Sequence, residues 1–462
     1  MPEPLTMELR LPEGFRCAGV CSGIKLQAGA LDLTLVVSDR PAVGVGVYTT
    51  NLVQAAPVLW DRQHTPSSRV RAIVANSGNA NACTGQRGME DCRRMAELVA
   101  QAIGAQPDQV LVLSTGIIGH YLPMDRIAAG IQQAAQQLGQ EESHLLAAAR
   151  GIMTTDTRPK LACRTLLLDS RPQIASTLQE ADFGQKAAQK HPLPLGPGFH
   201  ASDQGKADPS DGQTLAPGEA ASRPPKQQAR QIVITGMAKG AGMIAPRLAT
   251  MLAIILTDAP LDPAAAQDLL AETTEETFNC VSIDGHTSTN DTVLVLANGA
   301  AGGEPLSEAP WQAFREAFRE VCQELAKAIA ADGEGATHLI TIHVRGCTSR
   351  QDARQIARSV AESLLVKTAI AGADPNWGRI VSAAGYAGVK FNPNRLTLRL
   401  NGFLLFADGQ PAHFNPQEVS NSLQANRHTL IELNLAEGQA EATLWTTDLT
   451  TEYVRINAEY HT

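Results

Sequence analysis

The sequence predicts a layered α/β fold built on mixed sheets. Short apolar runs that suit buried strands recur along the chain, and they alternate with segments whose apolar residues return at helical spacing. At 462 residues, the chain is also long enough to bury a sizeable core and to form more than one domain.

The first half of the chain shows this alternation from its start. Residues 31–49 predict two strands separated at Asp39-Arg-Pro41, because proline and its neighbours favour a turn. Apolar residues at helical spacing over 89–103 predict a helix that Gly104 ends. The remaining predictions are strands at 70–75, 110–113 and 163–168 and helices at about 125–138 and 143–152.

The second half continues the pattern. The continuous apolar run over 251–256 is typical of a buried strand, and a strand at 232–235 precedes it. Helices are predicted at about 263–276, 311–331 and 350–368, and strands at 278–283, 292–297 and 339–344. Roughly the last seventy residues are predicted to be mainly strand. We expect a smaller C-terminal α/β domain to begin near residue 348.

Residues 170–228 interrupt this order. The segment is rich in Pro, Gly, Gln, Ser and Ala, and apolar spacing is lost after about Phe183. Such a composition cannot bury enough surface to offset chain entropy, so it predicts a disordered surface insertion. A tolerated loop is favoured over a segment that shields a site.

Composition excludes several classes of protein. The net charge is −9 and no Lys/Arg run occurs, which argues against nucleic-acid and anionic-membrane partners. The start of the chain lacks the regions of a signal peptide, and no apolar run approaches the ~18 residues of a membrane helix. The eight cysteines are scattered without a Cys-x-x-Cys pair. We therefore expect a reduced, cytoplasmic protein.

The most informative position is Thr250, which lies between a Gly-rich turn and the apolar run over 251–256. Glycines at 236, 240 and 242 let backbone approach a ligand closely. Cutting the Ala249–Thr250 bond would free an α-amine beside the hydroxyl, which places a nucleophile and a base on one residue. Taken alone, however, most Gly-rich turns before strands are only turns.

Ordered motifs supply the context for Thr250. The segment Gly236-Met-Ala-Lys-Gly-Ala-Gly-Met-Ile-Ala-Pro246 with Leu248-Ala-Thr-Met-Leu252 resembles the self-cleavage segment of the ornithine acetyltransferase (glutamate N-acetyltransferase) family. The other matching motifs are Asn76-Ser-Gly-Asn-Ala-Asn-Ala-Cys-Thr-Gly85, Ser114-Thr-Gly-Ile-Ile-Gly119, Met153-Thr-Thr-Asp-Thr-Arg-Pro-Lys160, Asp284-Gly-His-Thr-Ser-Thr-Asn-Asp291, Gly333-Glu-Gly-Ala-Thr337, Gly372-Ala-Asp-Pro-Asn-Trp-Gly-Arg379 and Ile456-Asn457. The resemblance runs from Gly14 to Thr462 except for a segment from about 169 to 228, which is the main departure from the family.

The resemblance implies the layered mixed-sheet α/β fold of self-cleaving ornithine acetyltransferases. Cleavage would give an alpha chain of residues 1–249 and a beta chain of residues 250–462, associated as a heterotetramer of two alpha and two beta chains. It assigns Thr115 and Gly116 to an oxyanion hole. It also implies that substrate contacts come from the following residues: Thr154, Lys239, Thr250, Glu334, Asn457 and Thr462.

Residue chemistry agrees with two of these assignments. The Lys239 ammonium can bind a substrate carboxylate, and the Glu334 carboxylate can pair with a substrate ammonium. Without the motifs, a solvated surface charge would be the favoured interpretation of both residues.

Other site chemistries find little support. No Gly-x-x-x-x-Gly-Lys-Ser/Thr occurs, so nucleotide binding is weakly supported. His338 and His343 fall on opposite faces of a predicted strand and do not make a metal pair. The segment 284–291 favours a hydrogen-bonded turn over a calcium loop, whereas residues 375–380 fit a ligand contact and a tight turn equally well.

The resemblance therefore implies a self-processing enzyme of arginine biosynthesis. It would move acetyl from N2-acetyl-L-ornithine to L-glutamate through acetyl-Thr250, without metal or coenzyme; whether acetyl-CoA is a second acetyl donor stays open. The rival enzyme is a related self-cleaving aminopeptidase or amidase, in which water takes the acyl group. A non-catalytic amino-acid-binding protein is the alternative if the insertion prevents processing.

Overall fold

The computed structural model describes residues 9–168, 230–245 and 251–459. Apart from Arg230, these residues belong to one compact unit; a second unit spans 169–230, and within it only Arg230, the first residue of a strand, is described. The insertion predicted over 170–228 therefore lies outside the described residues, as do Ala249, Thr250 and Thr462.

The described part of the chain contains the following strands. In chain order they are β1 (Phe15–Val20), β2 (Leu33–Tyr48), β3 (Ser67–Asn79), β4 (Val110–Ile117), β5 (Lys160–Leu168), β6 (Arg230–Lys239), β7 (Leu252–Thr257), β8 (Val281–Ser282), β9 (Thr292–Ala297), β10 (Leu339–Cys347), β11 (Thr397–Leu400), β12 (Phe403–Ala407), β13 (Gln410–Pro411), β14 (His428–Asn434) and β15 (Ala440–Thr447).

The same part of the chain contains the following helices. They are α1 (Ala56–His64), α2 (Gly85–Ile103), α3 (Met124–Gln136), α4 (Glu142–Gly151), α5 (Pro263–Glu276), α6 (Glu308–Ala331), α7 (Arg350–Glu362), α8 (Leu364–Ala371), α9 (Trp377–Gly385), α10 (Pro416–Ala425) and α11 (Thr451–Glu459).

The first sheet has the spatial order β4-β3-β2-β9-β7-β6-β5, with β1 paired to β2. It is mixed, because β3–β4 and β7–β9 are parallel whereas β2–β3 and β6–β7 are antiparallel. Strand β7 lies in its interior and every residue of β7 is buried. A continuous apolar run is what such a doubly covered strand requires.

The second sheet has the order β13-β12-β11-β14-β10-β15-β8 and is also mixed. Helix α6 packs against β5 of the first sheet and against β8 and β15 of the second. Its buried face joins one apolar core that includes residues of both sheets, such as Ile255 in β7 and Ile342 in β10. The predicted layered α/β fold with mixed sheets is confirmed.

The local sequence pattern predicted the positions of many helices and strands correctly. Helix α5 and strand β9 have the predicted bounds, and α2 ends at Gly104, which adopts a left-handed conformation with φ 69°. The expected C-terminal domain from about residue 348 stays a prediction; the second sheet also takes β8 and β10 from before that position.

Four predictions of secondary structure were wrong. The break at 39–41 is an irregularity within the single strand β2, whose register to β3 shifts between Val37 and Ala42. Residues 278–280 form a short 3-10 helix ahead of the two-residue β8. The helix predicted over 350–368 ends at Ser363, whose hydroxyl accepts from the Val366 amide and caps α8. The C-terminal strands are interrupted by α10 and followed by α11.

Candidate active site

One cleft, with a volume of about 610 Å³, gathers predicted site residues from five distant parts of the sequence. The predicted residues that line it are Thr115, Gly116, Thr154, Lys239, Glu334 and Asn457. The other lining residues are Ala80, Ile118, Thr155, Gly242, Met243, Ser288, Thr289 and Asn290. The structure thus brings together every predicted substrate or oxyanion residue that it describes.

Strand pairing explains why the cleft lies beside the head of β7. Lys239 is the last residue of β6 and pairs with Leu252, the first residue of β7. Thr250 lies two positions before Leu252 in the sequence, although Thr250 itself is outside the described residues. The sheet register therefore places the Lys239 side chain next to the strand that the predicted nucleophile precedes.

Lys239 is fully buried and donates to the Thr115 hydroxyl, with 3.3 Å between Nζ and Oγ1. Burial lowers the pKa of Lys239, since it penalises the charged form, while the Asp156 carboxylate opposes the shift. The ammonium is thus held at the floor of the cleft instead of on the surface. Its position fits a carboxylate ligand and also puts positive charge beside the predicted oxyanion hole.

A buried ion cluster lies beneath Lys239. The Lys160 ammonium is 2.5 Å from Asp156 Oδ1 and 2.6 Å from Asp332 Oδ2, and all three side chains are buried. Burial would raise the pKa of Asp156, but the ammonium groups of Lys239 and Lys160 and the Gly240 amide lower it to about 2. Asp156 is therefore an anion that stabilises both cations.

Asp156 also fixes the backbone on two sides of the cleft. Its Oδ2 accepts from the Thr154 amide at 2.9 Å, and its Oδ1 accepts from the Gly240 amide at 2.7 Å. One side chain therefore sets the position of predicted substrate residue Thr154 and of the turn after Lys239. Sequence reasoning missed Asp156, Lys160 and Asp332, although Asp156 and Lys160 lie within the 153–160 motif.

The predicted oxyanion pair lies near the end of β4, where Thr115 and Gly116 still pair with Ser77 and Gly78 of β3. Gly116 has φ 134°, and a Cβ at this position would lie 2.3 Å from the Gly78 carbonyl carbon, so only glycine fits. Ser114 donates to Asn76 Oδ1 at 2.6 Å, which ties the end of β4 to β3. The backbone of 115–116 is thus fixed in place by packing and strand pairing, as an oxyanion hole requires.

Glu334 and Asn457 form the open side of the cleft. Asn457 Nδ2 donates to Glu334 Oε2 at 2.8 Å, and the Glu334 amide donates to the Ala241 carbonyl at 2.8 Å. A Cβ on Gly242 would lie 2.4 Å from Glu334 Oε2, so glycine leaves room for the carboxylate there. The two predicted substrate contacts therefore share a hydrogen bond and face the Gly-rich turn.

Asn290 was missed as a site residue. Its Nδ2 donates to the carbonyls of Ala80 at 2.7 Å and Ser114 at 2.8 Å, which links the 284–291 segment to the end of β4. The density of polar residues in that motif was the available signal. The segment is a hydrogen-bonded turn, as predicted, with Asp284 Oδ1 accepting from the His286 amide at 3.2 Å.

A larger cavity lies on another part of the surface and contains none of the predicted site residues. It is lined by arginines of α7 that are paired with glutamates, such as Arg350 with Glu276 and Arg354 with Glu275. The thiol of Cys280 also lines it, but burial raises the pKa of this thiol to about 11, which keeps it protonated at neutral pH. The cleft beside β7 is the candidate active site.

The cleft combines the buried Lys239 ammonium, several hydroxyls and a Gly-rich turn around one space. This arrangement can bind a small molecule that carries carboxylate and ammonium groups and can stabilise negative charge that develops on a carbonyl oxygen. Within the described ranges, no group of three or more His, Cys, Asp or Glu side chains could hold a metal ion. No helix in those ranges is long and apolar enough to span a membrane.

Comparison with known proteins agrees with the motifs. The model of the ArgJ family matches residues 16–178 and 218–462, and so passes over 179–217, inside the predicted insertion. The arginine biosynthesis bifunctional protein ArgJ of Rhodopirellula baltica is 41% identical over 100% of this chain and 98% of its own length. The protein of the same name from Symbiobacterium thermophilum is 42% identical over 98% of each chain.

A solved structure of the argJ protein from Bacillus halodurans has 41% sequence identity, covers 44% of this chain and 96% of that chain, and gives a TM-score of 0.43. The family model accounts for most of the sequence, and the relatives align over nearly their full length. This chain therefore belongs to the ArgJ family.

Proposed function

We propose that this protein is a self-processing acetyltransferase of arginine biosynthesis that moves acetyl from N2-acetyl-L-ornithine to L-glutamate. The observation that carries the proposal is the single cleft in which Thr115, Gly116, Thr154, Lys239, Glu334 and Asn457 meet. Membership of the ArgJ family supports the same reaction. The enzyme would first cut its own Ala249–Thr250 bond.

In the first half-reaction, the Thr250 hydroxyl attacks the acetyl carbonyl carbon of N2-acetylornithine. The α-amine freed by cleavage, with an ordinary pKa of ~7.7–8, accepts the hydroxyl proton. Thr115 and Gly116 stabilise the tetrahedral oxyanion. The carbon–nitrogen bond then breaks, the proton passes to the departing amine, and ornithine leaves an acetyl ester on Thr250.

In the second half-reaction, the neutral amine of glutamate attacks the ester carbonyl carbon and the carbon–oxygen bond to Thr250 breaks. The proton lost by the amine passes through the Thr250 α-amine to the Thr250 oxygen, and N-acetylglutamate is released. We propose that Lys239 binds a substrate carboxylate and that Glu334, with Asn457, binds a substrate ammonium. Thr154 and the terminal Thr462 complete the proposed contacts. The proposed transfer uses neither metal nor coenzyme, and acetyl-CoA is proposed as a second acetyl donor to glutamate.

The proposed assembly is a heterotetramer of two alpha chains, residues 1–249, and two beta chains, residues 250–462. We propose the cytoplasm as its compartment. All eight cysteines lie in the described part of the chain and are unpaired, which supports a reducing environment. Light scattering of the purified protein measures the assembly directly, and a mass of one alpha and one beta chain would contradict it.

Product identity tests the reaction. With N-acetylornithine alone, the fragment that starts at Thr250 should gain the mass of one acetyl group, and glutamate should remove it. With both substrates, N-acetylglutamate should form with ping-pong kinetics. Rapid release of free acetate without N-acetylglutamate would reject the transferase in favour of a hydrolase. A parallel assay of thiol release from acetyl-CoA with glutamate tests the second donor.

A further inference from the structure

The 284–291 segment holds the chain on both sides of the predicted cleavage site. Asp284 and Asp291 stand at its two ends. Asp284 accepts hydrogen bonds from the amides of Met243 and Ile244, which precede the predicted cut, and Asp291 accepts one from the amide of Met251, which follows it. The catalytic scheme above uses neither of them.

Asp284 fixes the upstream arm, the chain at Met243 and Ile244 before the predicted cut. Its Oδ2 accepts from the Met243 amide at 2.6 Å and its Oδ1 accepts from the Ile244 amide at 2.9 Å. The Ile244 carbonyl accepts in turn from the Ile283 amide at 2.8 Å. Met243 has φ 56°, a left-handed conformation that a residue with a side chain rarely adopts. The hydrogen bonds that Asp284 accepts hold the chain in this turn, a few positions before the predicted cut.

Asp291 fixes the downstream arm, the chain at Met251 after the predicted cut. It is fully buried, and its Oδ1 accepts from the amide of Met251 at 3.1 Å. Met251 directly follows Thr250 in the sequence, and its carbonyl accepts from the Thr292 amide at 3.1 Å. Met251, the residue after the predicted nucleophile, is therefore held at its amide by Asp291 and at its carbonyl by Thr292.

We propose that residues 284–291 form a processing clamp, in which Asp284 holds the arm before the Ala249–Thr250 bond and Asp291 holds the arm after it. The inference rests on the self-cleavage in the proposed function. Asp284 and Asp291 are positioning residues, since they act through the backbone that carries the reacting groups.

The clamp affects cleavage and turnover differently. Attack of the Thr250 hydroxyl on the preceding carbonyl needs both arms in place, because small displacements of reacting groups cost large factors in rate. After cleavage, the arm held by Asp284 is no longer joined to Thr250, whereas Met251 still is. Self-cleavage therefore requires both carboxyl groups, whereas kcat for acetyl transfer requires only Asp291; loss of Asp284 acts on transfer through KM, because Met243 lines the cleft.

The test follows the full-length chain during cell-free synthesis and measures the uncut fraction on denaturing gels over time. In Asp284→Ala, we expect cleavage to be slower by about tenfold or more, while kcat per cleaved molecule stays within about threefold of wild type. In Asp291→Ala, both rates should fall. Asp291→Asn should restore them in large part, because the amide oxygen can still accept from Met251.

Matched variants separate positioning from loss of stability. Asp258 is a buried carboxylate at the opposite end of β7 that also accepts two backbone hydrogen bonds, from Val233 at 2.8 Å and Glu13 at 3.1 Å. Asp258→Ala should lower the melting temperature without slowing cleavage. Tyr453→Phe should also cleave at the wild-type rate, since it removes only the hydroxyl that donates to Asp284. Asp284→Asn, which keeps the volume and one accepting oxygen, replaces Asp284→Ala if the latter does not fold.

The outcomes are distinct. Slow cleavage with nearly normal turnover of the cleaved fraction in a folded Asp284 variant supports the clamp. Wild-type cleavage in that variant, or an equal loss of cleavage and kcat, overturns it and leaves the acetyltransferase proposal intact. A wild-type chain that is never cut overturns both the clamp and the self-processing step.

Discussion

The Lys239 ammonium lies 3.3 Å from the Thr115 hydroxyl, although the two residues are 124 positions apart in the sequence. One was predicted to bind a substrate carboxylate and the other to line an oxyanion hole. Their hydrogen bond places the predicted carboxylate-binding group beside the predicted oxyanion hole in one cleft. A change at either residue should therefore affect the binding of substrate and the stabilisation of the transition state together.

We expect Lys239→Ala to lower kcat/KM for N-acetylornithine by about 10- to 100-fold, because a charged hydrogen-bond donor is lost. The melting temperature should also fall, since Asp156 loses one of its two buried cations. The chain should still be cut. Lys390 is exposed, so Lys390→Ala is the matched control and should leave both quantities unchanged. A kcat/KM for Lys239→Ala within twofold or so of wild type would contradict the placement of Lys239 at the substrate.

Thr250→Ala should yield one uncut, inactive chain, because the hydroxyl and the future α-amine base are both lost. Wild-type protein should give two fragments, and N-terminal sequencing of the second should begin at Thr250. Thr250→Ser keeps the hydroxyl and should retain slow cleavage. A fragment that starts at another residue would remove Thr250 as the nucleophile.

The stability of the protein should depend on pH through Asp291. Burial raises the pKa of this carboxyl to about 8, while the Met251 amide, the Ser288 and Thr49 hydroxyls and the Lys239 ammonium oppose the shift. No described residue, however, donates a hydrogen bond of normal geometry to the Oδ2 atom of Asp291. Between pH ~3.9, the pKa of an aspartate in the unfolded chain, and about 8, the Asp291 carboxyl is protonated in the folded protein but ionised in the unfolded chain.

The sign of the effect follows from this difference. Between the unfolded and folded pKa values, the folded state binds more protons, so stability falls as pH rises, by up to about 1.4 kcal/mol per pH unit. Asp291→Asn cannot ionise and should lack this slope. Urea unfolding from pH 5 to 9 measures the free energy of unfolding of both proteins. The stability of the variant relative to wild type should increase as pH rises. A difference in unfolding free energy that stays constant with pH would show that Asp291 does not titrate in this range.

Removal of residues 171–226 should preserve both cleavage and activity, because we predict that this segment is a surface insertion. The family model passes over 179–217 within it. Limited proteolysis should cut there first. A folded deletion variant that loses self-cleavage and acetyl transfer would instead assign the segment to the active site.

The sequence by itself located the elements whose signals are local. The apolar run before Thr257 predicted the interior strand β7, and the helical spacing that stops at Gly104 predicted α2. The motifs also named the cleft residues, including Lys239 and Glu334, because reactive groups must be of particular chemical types wherever the fold places them. Periodicity and residue chemistry can be read without knowing which segments pair.

Only the tertiary structure decided which polar groups lose water and meet. The cluster of Lys160, Asp156 and Asp332 joins residues 172 positions apart, and no local pattern predicts that Asp332 is buried with a lysine. The same holds for the continuity of β2 across 39–41, which depends on its neighbours β3 and β9 in the sheet. Ion pairing, strand register and burial are properties of contacts between distant segments, and those contacts form only when the whole sheet has assembled.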